Sequence, residues 1–171
     1  YDQVIIGHVY RNGATLDDHW NNISDSAAVY TYEKNDDNGT WVTSANYSVL
    51  SALQDERWDV VVLQQAAADA GKADTYGNLK NVVDWIDANK TEDDTAIYWQ
   101  TSCADNDTAY KAIAAVTEQT VMTTEGIDGI LPVGTAIAMA NGCDEAKNAA
   151  DYIPDEVDAD GIWNALKHLE L

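Results

Sequence analysis

The order of apolar segments predicts an α/β fold, with a mainly parallel sheet and helices on both of its faces. Three observations carry this. The run Val60–Leu63 is unbroken and apolar, with Asp59 before it and the amides Gln64–Gln65 after it. A strand buried on both faces reads this way, because a parallel sheet covered by helices needs no polar face. Two further short runs, Thr95–Gln100 and Gly129–Val133, have the same character. Between them lie stretches whose apolar residues recur at helical spacing. At 171 residues the chain is long enough for one domain with a full core. The α/β part is assigned to residues 1–150, and residues 151–171 to an acidic C-terminal segment of the same domain.

Each element has its own signal. Tyr1–Tyr10 reads as the first strand and Asn12-Gly13 as the turn that ends it. Thr15 is a good N-cap for a helix through Leu16, Trp20, Ile23 and beyond, with Asp17 and Asp18 favourable in its first turn. The run NDDNGT, 35–40, is a surface turn, and Trp41–Thr43 a short extended piece. Ser44 is expected to cap a helix carrying Tyr47, Leu50 and Leu53 to about Arg57. The central strand Val60–Leu63 follows. A small-residue loop then leads to a helix opened by Thr75, with Leu79, Val82, Val83 and Ile86 on one face. After the strand Thr95–Gln100, Thr108 begins a helix with Tyr110, Ile113, Val116 and Val121 apolar. Gly129–Val133 is the last strand, and Thr135 starts another helix. In open α/β sheets, ligands collect at the carboxyl ends of the strands. The loops there are 11–15, 64–74, 101–107 and 134–135.

Charge narrows the function classes. Acidic residues outnumber basic ones 30 to 9, for a formal net charge of −21. That opposes binding to nucleic acid or anionic membrane through charge, and fits a strongly solvated extracellular or cell-surface protein. No apolar run approaches the length of a membrane span. Cys103 and Cys143 allow one disulfide or two free thiols, and without a CxxC pair they make no case for zinc or redox chemistry. No cofactor is expected.

Four phrases now line up: NGATLDDHW (12–20), WDVVVLQQ (58–65), IYWQ (97–100) and ILPVGTAI (130–137). In this order the chain resembles an uncharacterised, secreted bacterial branch of the SGNH/GDSL hydrolase superfamily. The resemblance implies a flavodoxin-like three-layer α/β/α sandwich and hydrolysis of carboxylic esters, with carbohydrate O-acetyl groups as the substrate. It implies that Gly13 and Gln64 or Gln65 donate to the acyl oxyanion, and that Asp160 orients a base. Trp99 and Trp163, with Trp41, are candidates to stack on sugar rings, and Ser102 to line the site. No metal is implied.

The chain departs from the pattern in two places. It contains no GDS, GNS or GxSxG, so the strand bearing the serine nucleophile is expected to precede Tyr1 and to be missing from the sheet. Trp163 stands where the family's Asp-x-x-His segment ends in histidine. Removing triad members costs many powers of ten in rate, so these residues alone are expected to hydrolyse esters weakly or not at all. His19 and His8 read as structural, and His168 is the one histidine near Asp160 in sequence. Two other functions stay open. One is a non-catalytic carbohydrate-binding or interaction domain on the same scaffold. The other is an acidic calcium-associated module, from the partial loop Glu156, Asp158, Asp160 and Gly161, where Lys167 replaces the closing carboxylate.

Overall fold

A computed structural model describes residues 4–36, 38–104 and 106–131. It is a mixed α/β structure with two three-stranded sheets. In the first sheet, β1 (Gly7–Tyr10), β2 (Tyr30–Asn35) and β3 (Trp41–Tyr47) are antiparallel, in that order. In the second, β4 (Val60–Leu63), β5 (Ala96–Gln100) and β6 (Gly129–Leu131) are parallel, in that order. The helices are α1 (Leu16–Ser24), α2 (Val49–Leu53), α3 (Leu79–Asn89) and α4 (Asp107–Val116). A 3-10 turn, Ala73–Tyr76, precedes α3, and a π-helical turn, Thr117–Val121, extends α4.

The first strand does not enter the parallel sheet as expected. It pairs with β2, at residues where the sequence predicts only the end of α1 and the segment after it. The signal for β2 is period two: Tyr30 and Tyr32 are buried while Thr31 and Glu33 face the other way. Asp36 then closes the hairpin, its Oδ1 accepting from the amides of Asn38 and Thr40 at 2.8 Å each. Residues 41–47 are all strand, so Ser44 caps nothing. The cap of α2 is Ser48, whose Oγ accepts from Ser51 N at 3.0 Å.

The α1 start behaves as its sequence dictates. Thr15 Oγ1 accepts from Asp18 N at 3.2 Å, and Asp18 Oδ2 accepts from Thr15 N at 3.0 Å. This reciprocal capping box contributes about 1 kcal/mol. It also holds the Asp18 carboxyl below its ordinary pKa, because the charged form accepts those bonds. Thr75 lies in the 3-10 turn rather than at the head of a helix, and α3 begins at Leu79. Its expected apolar face, Leu79, Val82, Val83 and Ile86, is buried throughout. The cap of α4 is Asn106, whose Oδ1 accepts from Ala109 N at 3.0 Å.

One core joins these parts. Ile97 and Trp99 of β5 pack with Leu16 and Ile23 of α1, Leu53 of α2, the α3 face, and Val116 and Val121. Val61, Leu63 and Ile130 lie against it. Every helix among the described residues therefore contributes to this core. The prediction that β4 is buried on both faces is corrected accordingly: Val60 and Val62 are 46% and 45% exposed. They alternate away from the helices, and β4 lies at the end of its sheet. The expected continuation of β6 through Val133, the helix from Thr135 and the C-terminal segment lie outside the described residues.

Candidate functional site

Strand periodicity sorts the polar residues at the carboxyl end of the parallel sheet. Val61, Leu63 and Gln65 follow one face of β4, while Val60, Val62 and Gln64 follow the other. Gln65 is therefore carried into the protein and is 2% exposed, whereas Gln64 is exposed.

Gln65 has both ends of its amide engaged. Its Oε1 accepts from Leu16 N at 3.0 Å and from Ala66 N at 2.9 Å. Its Nε2 donates to Thr75 O at 3.1 Å and Thr75 Oγ1 at 3.2 Å. One side chain thus ties the first turn of α1 and the 3-10 turn to the end of β4. It satisfies a helix N-terminal amide that has no partner within its helix.

Gln64 has looser partners. Its Nε2 donates to Ser102 Oγ at 3.3 Å, and its Oε1 accepts from Gln100 Nε2 at 3.4 Å. Leu63 pairs with Trp99, so Gln64 and Gln100 stand side by side as the two strands end. Ser102 is 4% exposed, and its hydroxyl donates to Gln65 O at 3.2 Å. Among the described residues, no histidine or carboxylate bonds to it. Below Ser102 lies an apolar cavity of about 160 Å³, lined also by Tyr110, Ile113, Thr117 and Ile130.

Gly13 enters through the same tie. It is exposed, with φ +72°, in the turn closed by Ala14 N donating to Arg11 O at 3.1 Å. That backbone suits glycine. Three residues later, Leu16 N is bonded to Gln65, which anchors the Gly13 turn to the carboxyl end of β4. Gln64, Gln65 and Ser102 are gathered at the carboxyl end of β4, and the Gly13 turn is joined to them through Leu16. Gln100, not singled out from sequence, joins them. Its signal was its place as the last residue of a strand, in register with Gln64.

Trp99 is not at this site. It is 2% exposed in the core, tilted against Tyr76 with ring centroids 5.6 Å apart, so neither of its faces is open to a ligand. Burial pushes the Tyr76 phenol up to about 12, and its hydroxyl donates to Ala70 O at 2.6 Å. His19 Nδ1 lies 2.8 Å from Tyr30 Oη and its ring stacks on Tyr30. Asn22 Nδ2 donates to that hydroxyl at 3.2 Å. Burial lowers the His19 pKa. Cys103 is an exposed free thiol. Asp160, Trp163, His168, Cys143 and the partial calcium loop lie outside the described residues. Among the described residues, no group of His, Cys, Asp and Glu side chains is arranged to hold a metal ion, and no helix is long and apolar enough to cross a membrane.

Comparison with known proteins places this geometry in a family. The chain is similar to a DUF4886 protein from Bacteroides uniformis of known crystal structure, with 27% identity and a TM-score of 0.69. The match covers 77% of this chain and 56% of that one. A 39-residue stretch is 46% identical to an uncharacterized protein from the pdhA 5' region of Geobacillus stearothermophilus. That match covers 23% of this chain and 41% of the other protein, so the chain spans well under two thirds of either relative. The model of the family described as "Domain of unknown function (DUF4886)" matches residues 2–160, and the chain belongs to that family.

Proposed function

We propose that this chain carries the oxyanion-stabilising end of an SGNH-type ester hydrolase, built on a three-layer α/β/α sandwich and acting on carbohydrate O-acetyl groups outside the cell. The observation that carries this reading is the gathering of the Gly13 turn and the exposed Gln64 amide at the carboxyl end of β4. Acyl transfer needs donors aimed where the carbonyl oxygen becomes negative. The Gly13 amide and Gln64 Nε2 are of that kind. Gln65 is not, because it is buried and its amide is fixed by four hydrogen bonds of 2.9 to 3.2 Å, whereas Gln64 is exposed and holds two longer ones.

A second observation supports the same reading. β1 and β4 each end a three-stranded sheet among the described residues. A side chain at Gly7 would meet the Trp58 ring, just before β4, and Leu16 bonds to Gln65 just after it. The two strands are therefore tied together at both ends without pairing. In the superfamily that the sequence resembles, the nucleophile strand lies between the strands matching these two. Asp160 would orient the base in this reading.

The test is turnover of 4-nitrophenyl acetate and of acetylated xylo-oligosaccharides by wild type and Gln64→Ala. Gln64→Ala is expected to lower kcat by about a hundredfold or more, the usual loss on removing one oxyanion donor. Wild-type turnover is expected to be weak, and equal turnover by the two proteins would overturn the reading. Mapping a fluorophosphonate adduct by mass spectrometry then shows whether any serine of this chain is activated.

One observation favours a second reading, that of a non-catalytic carbohydrate-binding domain. Ser102, the serine beside the glutamines, bonds to an amide and a backbone carbonyl, and neither is a base. Sugar binding with no acyl-ester turnover would favour it.

A further inference from the structure

The outer face of the antiparallel sheet is remote in character from the glutamine cluster and unused by the reading above. Its register decides what it presents. Gly7 faces Trp58 and Tyr32, and Lys34 reaches Asp55 and Glu56, so these residues point inward. Their neighbours along each strand point outward. His8 pairs with Glu33 and Glu33 with Thr43, while Asn35 pairs with Trp41. The outward set is thus His8, Tyr10, Glu33, Thr43 and Trp41, with Ile6 beyond the end of β1.

This face is ordered. His8 and Tyr10 stack with centroids 4.6 Å apart and planes inclined by 19°. Tyr10 Oη donates to Glu33 Oε1 at 3.3 Å, and Thr43 Oγ1 donates to the same oxygen at 3.5 Å. Trp41 is 52% exposed on the opposite flanking strand, two residues along from the row of His8, Glu33 and Thr43, so it stands about 12 Å from His8 and farther from Tyr10. Between them lies a carboxylate whose remaining lone pairs are open to hydroxyl donors. No lysine or arginine belongs to this outward set, because the one cation of the three strands, Lys34, is turned inward to its two carboxylates.

We propose that this face is a platform for a neutral oligosaccharide. Sugar rings offer apolar C–H faces to Trp41 and the His8–Tyr10 pair, and hydroxyl donors to Glu33. Charge selects the occupant. An anionic glycan meets Glu33 with no cation on the face and a chain of net charge −21 behind it. A second copy of the chain meets the same repulsion.

The proposal is independent of ester hydrolysis, and its test keeps the two apart. Xylohexaose, cellohexaose and mannohexaose are titrated calorimetrically into the protein, with hexagalacturonate as the anionic control. At least one neutral sugar is expected to bind. Trp41→Ala should weaken that binding about tenfold, the loss of one stacked aromatic, with an unchanged melting temperature. Gln64→Ala should bind the sugar as wild type does, and Trp41→Ala should keep any turnover of 4-nitrophenyl acetate. Three outcomes would overturn the proposal. They are no heat with any neutral hexaose, equal affinity in Trp41→Ala, or hexagalacturonate binding as tightly as the neutral sugars. Sedimentation of wild type as a dimer that Trp41→Ala dissolves would also overturn it, by making the face a self-association surface.

Discussion

The two sheets are built from strands of similar length, yet they are held in different ways. Among the described residues, the parallel sheet packs against helices and gains its stability from apolar burial around Ile97 and Trp99. The antiparallel sheet leaves Trp41, Val42 and Ile6 at least half exposed. It is fastened by polar contacts along its inner side. Lys34 Nζ lies 2.5 Å from Asp55 Oδ2 and 2.7 Å from Glu56 Oε1, while Tyr32 Oη donates to Asp55 at 3.1 Å. Those two carboxylates raise the Lys34 pKa, and burial, reinforced by the bond to Asp55, raises that of Tyr32. These ion pairs are a quarter to a third exposed and contribute little each, so the buried Tyr30 and Tyr32 carry most of the attachment of this sheet.

The largest expected effect breaks the buried partner. Trp99→Ala removes a ring that is 2% exposed at the centre of the common core. It should destabilise the protein by about 3–5 kcal/mol in denaturant unfolding. A much smaller loss would mean that the core is not centred on β5. Trp41→Ala, in the antiparallel sheet, should leave unfolding unchanged in the same experiment.

Two neighbouring glutamines sharpen the contrast. Gln65→Ala leaves the amides of Leu16 and Ala66 and the carbonyl of Thr75 without their partner. It should cost about 2–4 kcal/mol, the cost of leaving buried polar groups unpaired. Gln64→Ala, at an exposed position with two long hydrogen bonds, should change stability by no more than about 0.5 kcal/mol. Its effect belongs to catalysis or to nothing. Similar destabilisation by both would show that Gln64 is part of the structure, and would remove it from the proposed site.

How far the sequence could be read follows from the same contrast. β4, β5 and β6 were legible because a short apolar run between polar residues has few other readings. The α3 face was legible from its spacing. β2 was not, because YTYEKN carries only two apolar positions and its burial rests on contacts to Asp55 and Glu56 more than twenty residues away. The covering of one face of β4 was not legible either, since an unbroken run of valines looks the same whether one face is packed or two. At the site, both glutamines were visible. Their division into a tie and an exposed amide depended on which face of β4 the helices cover, and a sequence does not carry that. Trp99 follows the same reasoning: a tryptophan one residue from a strand's end reads alike as a sugar platform or as core until its face is known.

The smallest effect concerns the link between the sheets. His19, on α1, reaches Tyr30 of β2, its Nδ1 lying 2.8 Å from the hydroxyl. Burial is the chief cause of its lowered pKa, with nearby Asp18 opposing it and Arg11 adding to it. The unfolded imidazole takes a proton near the ordinary value of 6.5 while the folded one still refuses it. The folded state then binds fewer protons than the unfolded state. Stability is therefore complete above that value and declines as pH falls from it toward the lower folded pKa. His19→Gln keeps an acceptor for the Tyr30 hydroxyl and removes the titration. Between pH 8 and pH 5, wild type should lose more stability than His19→Gln, the gap opening below about pH 6.5. Parallel pH profiles would mean that His19 protonates freely in the folded protein, and that α1 and β2 meet without depending on its charge.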